Sequence, residues 1–513
     1  MKMNRRNFIN NTALATAGAF FFGGQMLRAA ESRFLPQLAQ NPNGKVLVLV
    51  QLNGGNDGLN MLIPIDRLDT LMALRSNILP PAESLLKITP ENALHPSMPG
   101  LQKMFAEEKL MFVQNVGYPN PNLSHFRSKD IFLSASDSDK IVSSGWIGRY
   151  MQNLHPDYPK GYPNTSVDYP LCLTIGNVAS PICMSQSENF SLVIKDSKTG
   201  YLAPRFEESA FPDNPYGQQL RFVASQMDST EKYLKVVTDA GTKGTNSDFY
   251  PSPNPLADQL KLVAKLISGG LGTMVYVVNH NGYDTHSDQV DETSTLTGRH
   301  AVLMKELSEA IDAFSKDLHQ SGLQDRVLGM VFSEFGRRIV SNQSYGTDHG
   351  TTYPVIFFGA GVNPVVYGNN PQIDRAMTAS DNLGMETDFR SLYASVLTQW
   401  LGDGNTPAND LLFGEFPAIP LLKKGTSSTD IHLPELQVYP VPASERIHFH
   451  CAGEAVLSAR ITDIHGRSVY SSNIPNGNMN ATMQIDVSRF PVGTYILSVQ
   501  TPKGVIRRTF VKR

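Results

Sequence analysis

The chain is poor in cysteine, in charge and in long apolar runs. Its 513 residues include only Cys172, Cys183 and Cys451, with no C-x-x-C pair. That excludes a disulfide framework and a cysteine-built zinc or redox site, and leaves room for one Cys172–Cys183 bridge. Cysteine usage therefore does not fix the redox compartment. Charged residues make up 18% and the net charge is −3, too near zero to point to a nucleic-acid partner or a polybasic membrane surface, and none is expected. Beyond residue 30 no segment reaches the about 18 consecutive apolar residues of a spanning helix. Glycine (40) and proline (33) are abundant and 41% of residues are hydrophobic, as in a loop-rich exported protein with ordinary packed cores. A chain of this length holds two or three domains.

Residues 1–30 read as an export signal. Lys2, Arg5 and Arg6 precede a short apolar run, Ala13–Phe22, too short to span a bilayer and suited to a signal core. Asn4-Arg5-Arg6-Asn7-Phe8-Ile9 resembles a twin-arginine signal, with Asn4 where Ser or Thr is common.

Residues 327–360 carry the densest chemistry. The apolar runs Val327–Phe332 and Pro354–Phe358 read as buried strands, and between them lie Glu334, Arg337, Asp348 and His349 among Gly336, Gly346 and Gly350. An isolated Asp-His-Gly is ordinarily a surface turn. Acid and histidine pairs at other strand ends change the weighing, because open α/β sheets bind ligands outside the carboxyl ends of strands. Lys45–Leu52 is a parallel-type strand that breaks at Asn53-Gly54-Gly55-Asn56-Asp57-Gly58, leaving Asp57 at its end. Leu110–Asn115 leads through a Pro/Asn loop to Ser124, which reads as a helix N-cap or a nucleophile beside His125. Thr273–Val278 ends at Asp284 and His286, and the helices Leu256–Ser268, Arg299–Leu318 and Phe389–Leu401 complete an alternating order. Residues 155–250, rich in Pro, Tyr, Asn and Ser, read as long loops or a small inserted cap.

Six motifs occur in one order: Gly54-Gly55-Asn56-Asp57-Gly58, Ser124-His125-Phe126, Gly145-Trp146-Ile147-Gly148-Arg149, Tyr283-Asp284-Thr285-His286, Ser333-Glu334-Phe335-Gly336-Arg337 and Gly346-Thr347-Asp348-His349-Gly350. Together they resemble the bacterial domain-of-unknown-function 1501 family, itself similar to the alkaline phosphatase and sulfatase superfamily. The resemblance implies an α/β fold with a mostly parallel sheet flanked by helices, over residues 44–422. It implies metal ligands among Asp57, Asp284, His286, Asp348 and His349, with Ser124 as candidate nucleophile. Glu334, standing where the superfamily ends this strand with an Asp-His pair, is kept as a further ligand candidate, and His125 beside Ser124 as a catalytic base or anion contact. Six such side chains would supply about three ligands to each of two ions, and mixed imidazole and carboxylate favours zinc, manganese or iron over calcium. One or two divalent ions and no organic cofactor are expected. A formylglycine sulfatase is disfavoured: Ser97-Met98-Pro99-Gly100-Leu101 lacks the required Arg.

Residues 423–434 are small and polar, a linker, and 435–513 read as short alternating strands of an Ig-like β-sandwich. Tyr439-Pro440-Val441-Pro442, Ile464-His465-Gly466-Arg467, Pro491-Val492-Gly493-Thr494-Tyr495 and the basic ending Arg507–Arg513 resemble the C-terminal sorting domain of type IX secretion. The expectation is an exported, metal-dependent hydrolase of phosphate or sulfate esters, passing the periplasm to the cell surface by the type IX machinery. Its substrate would be a small or polymeric anionic ester, including sulfated or phosphorylated glycans. The alternative is a catalytically silent surface protein that keeps the fold for glycan binding or assembly.

Overall fold

The computed structural model describes residues 44–513 apart from 165, 196–210, 213, 403–407, 424–435, 452–455, 464–467, 475–481 and 502–503. The export-signal reading, nearly all of the linker and the Ile464–Arg467 motif fall outside these. The chain divides into two compact units, Met1–Lys424 and Gly425–Arg513.

The first unit is built on a nine-stranded sheet. Its main strands are β1 (Val46–Asn53), β2 (Leu110–Gly117), β3 (Cys172–Ile175), β4 (Ser191–Ile194), β5 (Val275–Asn281), β6 (Val327–Ser333) and β7 (Tyr353–Phe358). They lie in the order β2-β7-β6-β1-β5-β3-β4, with the short pieces Val366–Tyr367 and Thr387–Asp388 paired to β2. β1 pairs in parallel with β5 and β6, while β7 alone runs antiparallel, between β2 and β6.

The near-continuous apolar runs are explained by burial on both faces. Val46, Val48, Val50 and Leu52 of β1 pack with helices α3 (Pro255–Ser268) and α4 (Arg299–Gln320); Leu47 and Leu49 belong to the core on the opposite face, with α5 (Phe389–Ser395). Helix α1 (His125–Ser134) follows β2. Residues 155–250 depart from expectation. They supply β3 and β4 to one side of the sheet and the 29-residue helix α2 (Pro215–Lys243), so much of this stretch is core. Its strands are only four residues long, too short to stand out as apolar runs. Cys172 and Cys183 are buried free thiols rather than a bridge.

The register sets the site. Asn53 of β1 faces Asn281 of β5, and Leu52 faces Ser333 of β6, so three loops begin level with one another. Because β7 is antiparallel, its entry at Tyr353 lies on the same edge as the exits of β1, β2, β5 and β6.

The second unit consists of two antiparallel sheets. One joins Leu436–Tyr439, Arg446–Cys451 and Met483–Asp486; the other joins Ser458–Asp463, Ser468–Asn473, Gly493–Thr501 and Gly504–Lys512. Ile447, Phe449, Ile461, Leu497, Val499 and Phe510 form their shared core. No described helix is long and apolar enough to cross a membrane.

Candidate functional site

At the edge shared by these loops, His125, Asp284 and His349 bring ligand atoms within 4.8 Å of one another. His286 joins from the Asp284 loop, its Nε2 lying 2.9 Å from His349 Nε2 and 3.3 Å from Asp284 Oδ1. His349 Nε2 is also 3.3 Å from Asp284 Oδ1, and His125 Nε2 is 3.4 Å from Asp284 Oδ2.

Each imidazole is oriented by its other nitrogen. His125 Nδ1 meets Glu334 Oε1 at 3.0 Å, His286 Nδ1 meets Asp348 Oδ1 at 3.0 Å, and His349 Nδ1 meets the Leu123 carbonyl at 2.8 Å. A carboxylate or a carbonyl only accepts, so Nδ1 must donate in all three rings. In the neutral rings the three Nε2 lone pairs are therefore turned toward Asp284. Histidine metal ligands are held in this way, with the distal N–H on a carboxylate or backbone carbonyl. Two opposed Nε2 lone pairs at 2.9 Å repel unless a proton or a metal ion lies between them. His125, Asp284 and His349 lie close enough to share one ion, and His286 reaches that group through Asp284 and His349. His125, Asp284 and His349 could hold a metal ion.

The sequence positions these groups through a few local devices. Gly54 and Gly55 take φ of 124° and 79°, and a Cβ on either would fall 2.3 Å from the Asp284 nitrogen or Phe335 Cε2 respectively. Only glycine allows that approach. The buried Phe335 ring is the floor on which His125 and His349 pack, with centroid separations of 4.9 and 4.5 Å. Ser128 in α1 donates to the Glu334 carbonyl at 2.5 Å and contacts Tyr118 Oη at 2.8 Å, tying the His125 helix to the end of β6. His280 lies between Tyr283 Oη and Glu306, 2.9 Å from each, and buttresses the Asp284 loop.

Arg337 is the hub. Its fully buried guanidinium donates to the carbonyls of Gly54, Gly55 (2.8 Å), Tyr283 (3.2 Å) and Thr347 (2.7 Å), and to Asp284 Oδ1 at 2.7 Å. One side chain thus joins the loops after β1 and β5 to the loop before β7. Burial raises the Asp284 carboxyl, but the Arg337 hydrogen bond and charge outweigh it and hold the group at about 2. Burial likewise opposes ionisation of Glu334, and the His125 contact prevails, leaving it below the usual carboxylate range. Burial also lowers the His349 imidazole, which favours the neutral form a ligand needs.

The sequence-derived candidates therefore separate. Asp284, His286 and His349 come together, and His125, singled out as a catalytic candidate, stands with them. Glu334 and Asp348 contact imidazole Nδ1 atoms from behind. Asp57 is fully buried in an ion pair with Arg75 and accepts from Gln289 Nε2 at 2.6 Å. Near it the buried His300 contacts Asn56 Oδ1 at 3.1 Å and packs edge-on to buried His95. Burial lowers His95 to about 3 and His300 to about 4, so both are neutral. Ser124 is exposed at the start of α1 and makes no side-chain capping bond, so its hydroxyl is not spent on the helix. Arg149, from the Gly145–Arg149 motif, holds the carbonyls of Ser134, Ser144 and Leu411. Arg337 was visible in a motif but without a role. Gln289 and Arg75 carried no local signal, since their importance comes entirely from partners distant in sequence.

No curated protein matches the sequence. Solved structures similar to it include a protein of the alkaline phosphatase superfamily from Vibrio parahaemolyticus, at 12% identity and TM-score 0.34, covering 89% of this chain and 86% of that one. A sulfatase from Pseudoalteromonas sp. shows 12% identity and TM-score 0.30 over 88% and 83% of the two chains. A phosphonate monoester hydrolase from Silicibacter pomeroyi shows 10% identity and TM-score 0.30 over 87% and 90%. Residues 437–513 match the secretion system C-terminal sorting domain. Residues 44–406 match the model described as protein of unknown function (DUF1501), and the chain belongs to that family.

Proposed function

We propose that the protein is an exported, metal-dependent hydrolase of phosphate or sulfate esters. The observation that carries this is the turning of three imidazole Nε2 atoms toward Asp284 by acceptors bound to each Nδ1. Asp284, His125, His286 and His349 would hold one divalent ion, with Glu334 and Asp348 orienting two of the rings. Of the one or two ions expected, this reading takes one. The ion would supply Lewis acidity toward an anionic ester and lower the pKa of an attacking hydroxyl. Arg337 keeps Asp284 ionised and the ligand loops together. Ser124, next to His125 and free of a capping bond, is the side chain best placed in sequence to attack. Zinc, manganese or iron suits this donor set better than calcium. The sorting domain supports passage to the cell surface, with an anionic glycan ester among the substrates within reach there.

Elemental analysis of purified protein tests the reading. Wild type should carry a stoichiometric transition ion, His349→Ala should lose it, and Ser124→Ala should keep it while losing turnover of an aryl phosphate or aryl sulfate. A metal-free wild type that cannot be reconstituted, or a His349→Ala variant that binds as well as wild type, would sink it.

A further inference from the structure

Asp57 and Asp284 leave neighbouring strands at the same edge, but their charges are treated differently. We infer, resting on the metal reading above, that Asp57 is a positioning residue and not a ligand. Arg75 supplies beside it the positive charge of a second ion, so the centre holds one ion, and Gln289 ties this fixed pair to both ligand loops.

Both side chains of the Asp57–Arg75 pair are fully buried. Asp57 Oδ2 takes the guanidinium and the Gln289 amide, the latter at 2.6 Å. Gln289 Oε1 accepts from Thr285 Oγ1 at 3.1 Å and Thr347 Oγ1 at 2.8 Å, and Thr347 N donates to the Thr285 carbonyl at 3.2 Å. Thr285 stands between Asp284 and His286, and Thr347 directly precedes Asp348 and His349. Gln289, Thr285 and Thr347 are all fully buried, so these bonds have no competing water-exposed geometry. One amide therefore links the buried pair to the two loops that present His286 and His349.

A second ion at Asp57 would meet the full charge of Arg75 across the width of one carboxylate. In a buried site that repulsion is not screened, and removing water from both cations adds to it. Asp57 Oδ1 and Arg75 Nε and Nη1 have no hydrogen-bond partner among the described residues. An acceptor and two donors together form a neutral polar set rather than a surplus of negative charge awaiting a metal.

Zinc titration of the full chain, followed by elemental analysis, tests this. Wild type should bind one zinc per chain. Two would overturn the inference and leave the metal reading standing, whereas none would remove that reading and this one with it. Asp57→Asn alone leaves Arg75 uncompensated and can fail to fold, so the informative variant is Asp57→Asn with Arg75→Met. It should still bind one zinc, within about tenfold of wild type, the lower end of outer-shell effects. Loss of zinc from this folded double variant, as from His349→Ala, would make Asp57 a ligand. Gln289→Leu should bind one zinc about 10- to 100-fold more weakly. A Gln289→Leu protein with a lower melting temperature but unchanged zinc affinity would assign Gln289 to stability alone.

Discussion

Around Asp284 three imidazoles turn their lone pairs into half-exposed space, whereas around Asp57 the protein answers the charge itself. Both clusters sit at the carboxyl edge, both join an aspartate to an arginine, and both have histidines nearby. The difference lies in what each arginine does. Arg75 ends on Asp57, leaving a buried, neutral knot. Arg337 spends most of its donors on backbone carbonyls and only one contact on Asp284, whose other oxygen still faces His125. Arginine identity thus says little about function, and the number of its donors already committed to backbone says more.

The strongest way to break the contrast is Arg337→Met. It orphans carbonyls from three loops and leaves the half-exposed Asp284 without its cation, a loss we expect to be about 3 kcal/mol, mostly from the buried carbonyls left unpaired. Denaturant unfolding and zinc affinity should fall together. Retained zinc binding at wild-type affinity would show that the loops hold without their hub.

Acid distinguishes the clusters next. His95 and His300 are held neutral in the fold, at about 3 and 4, against about 6.5 when unfolded. A depressed folded pKa gives stability that is complete above the unfolded value and declines as pH falls toward the folded one. At pH 5 each costs on the order of 2 kcal/mol relative to pH 8. Melting temperature should therefore drop between pH 7 and 5, and His300→Gln should flatten that slope. A slope identical in the variant would place the acid sensitivity elsewhere.

The groups behind the imidazoles should act on zinc affinity rather than on folding. Glu334→Gln, at a buried position, should weaken zinc binding about a hundredfold, and Asp348→Asn, where the carboxylate is half exposed, about tenfold. Equal effects would mean that burial does not set the strength of these contacts.

Much of the α/β unit was legible because burial on both faces demands uninterrupted apolar runs; Val46–Asn53 and Val327–Ser333 are plain in the sequence. Asp284, His286 and His349 were legible as well, since each sits where a strand ends or begins. The short strands Cys172–Ile175 and Ser191–Ile194 were not, because four residues among prolines and asparagines carry too little pattern.

The sequence alone determined which side chains reach the sheet edge, since strand ends and glycine turns are local properties of the chain. Tertiary structure decided what they do there. Asp57 and Asp284 carry similar local signatures, Gly-Gly-Asn-Asp after one strand and Gly-Tyr-Asp after another. One became a buried counter-ion because Arg75, 18 residues away, folds against it; the other became a candidate ligand because α1 brings His125 across from β2 and the antiparallel β7 brings His349 to the same edge. Coulomb interactions depend on distance in space, and pairs 65 to 159 residues apart along the chain acquire that distance only when the sheet closes their loops together.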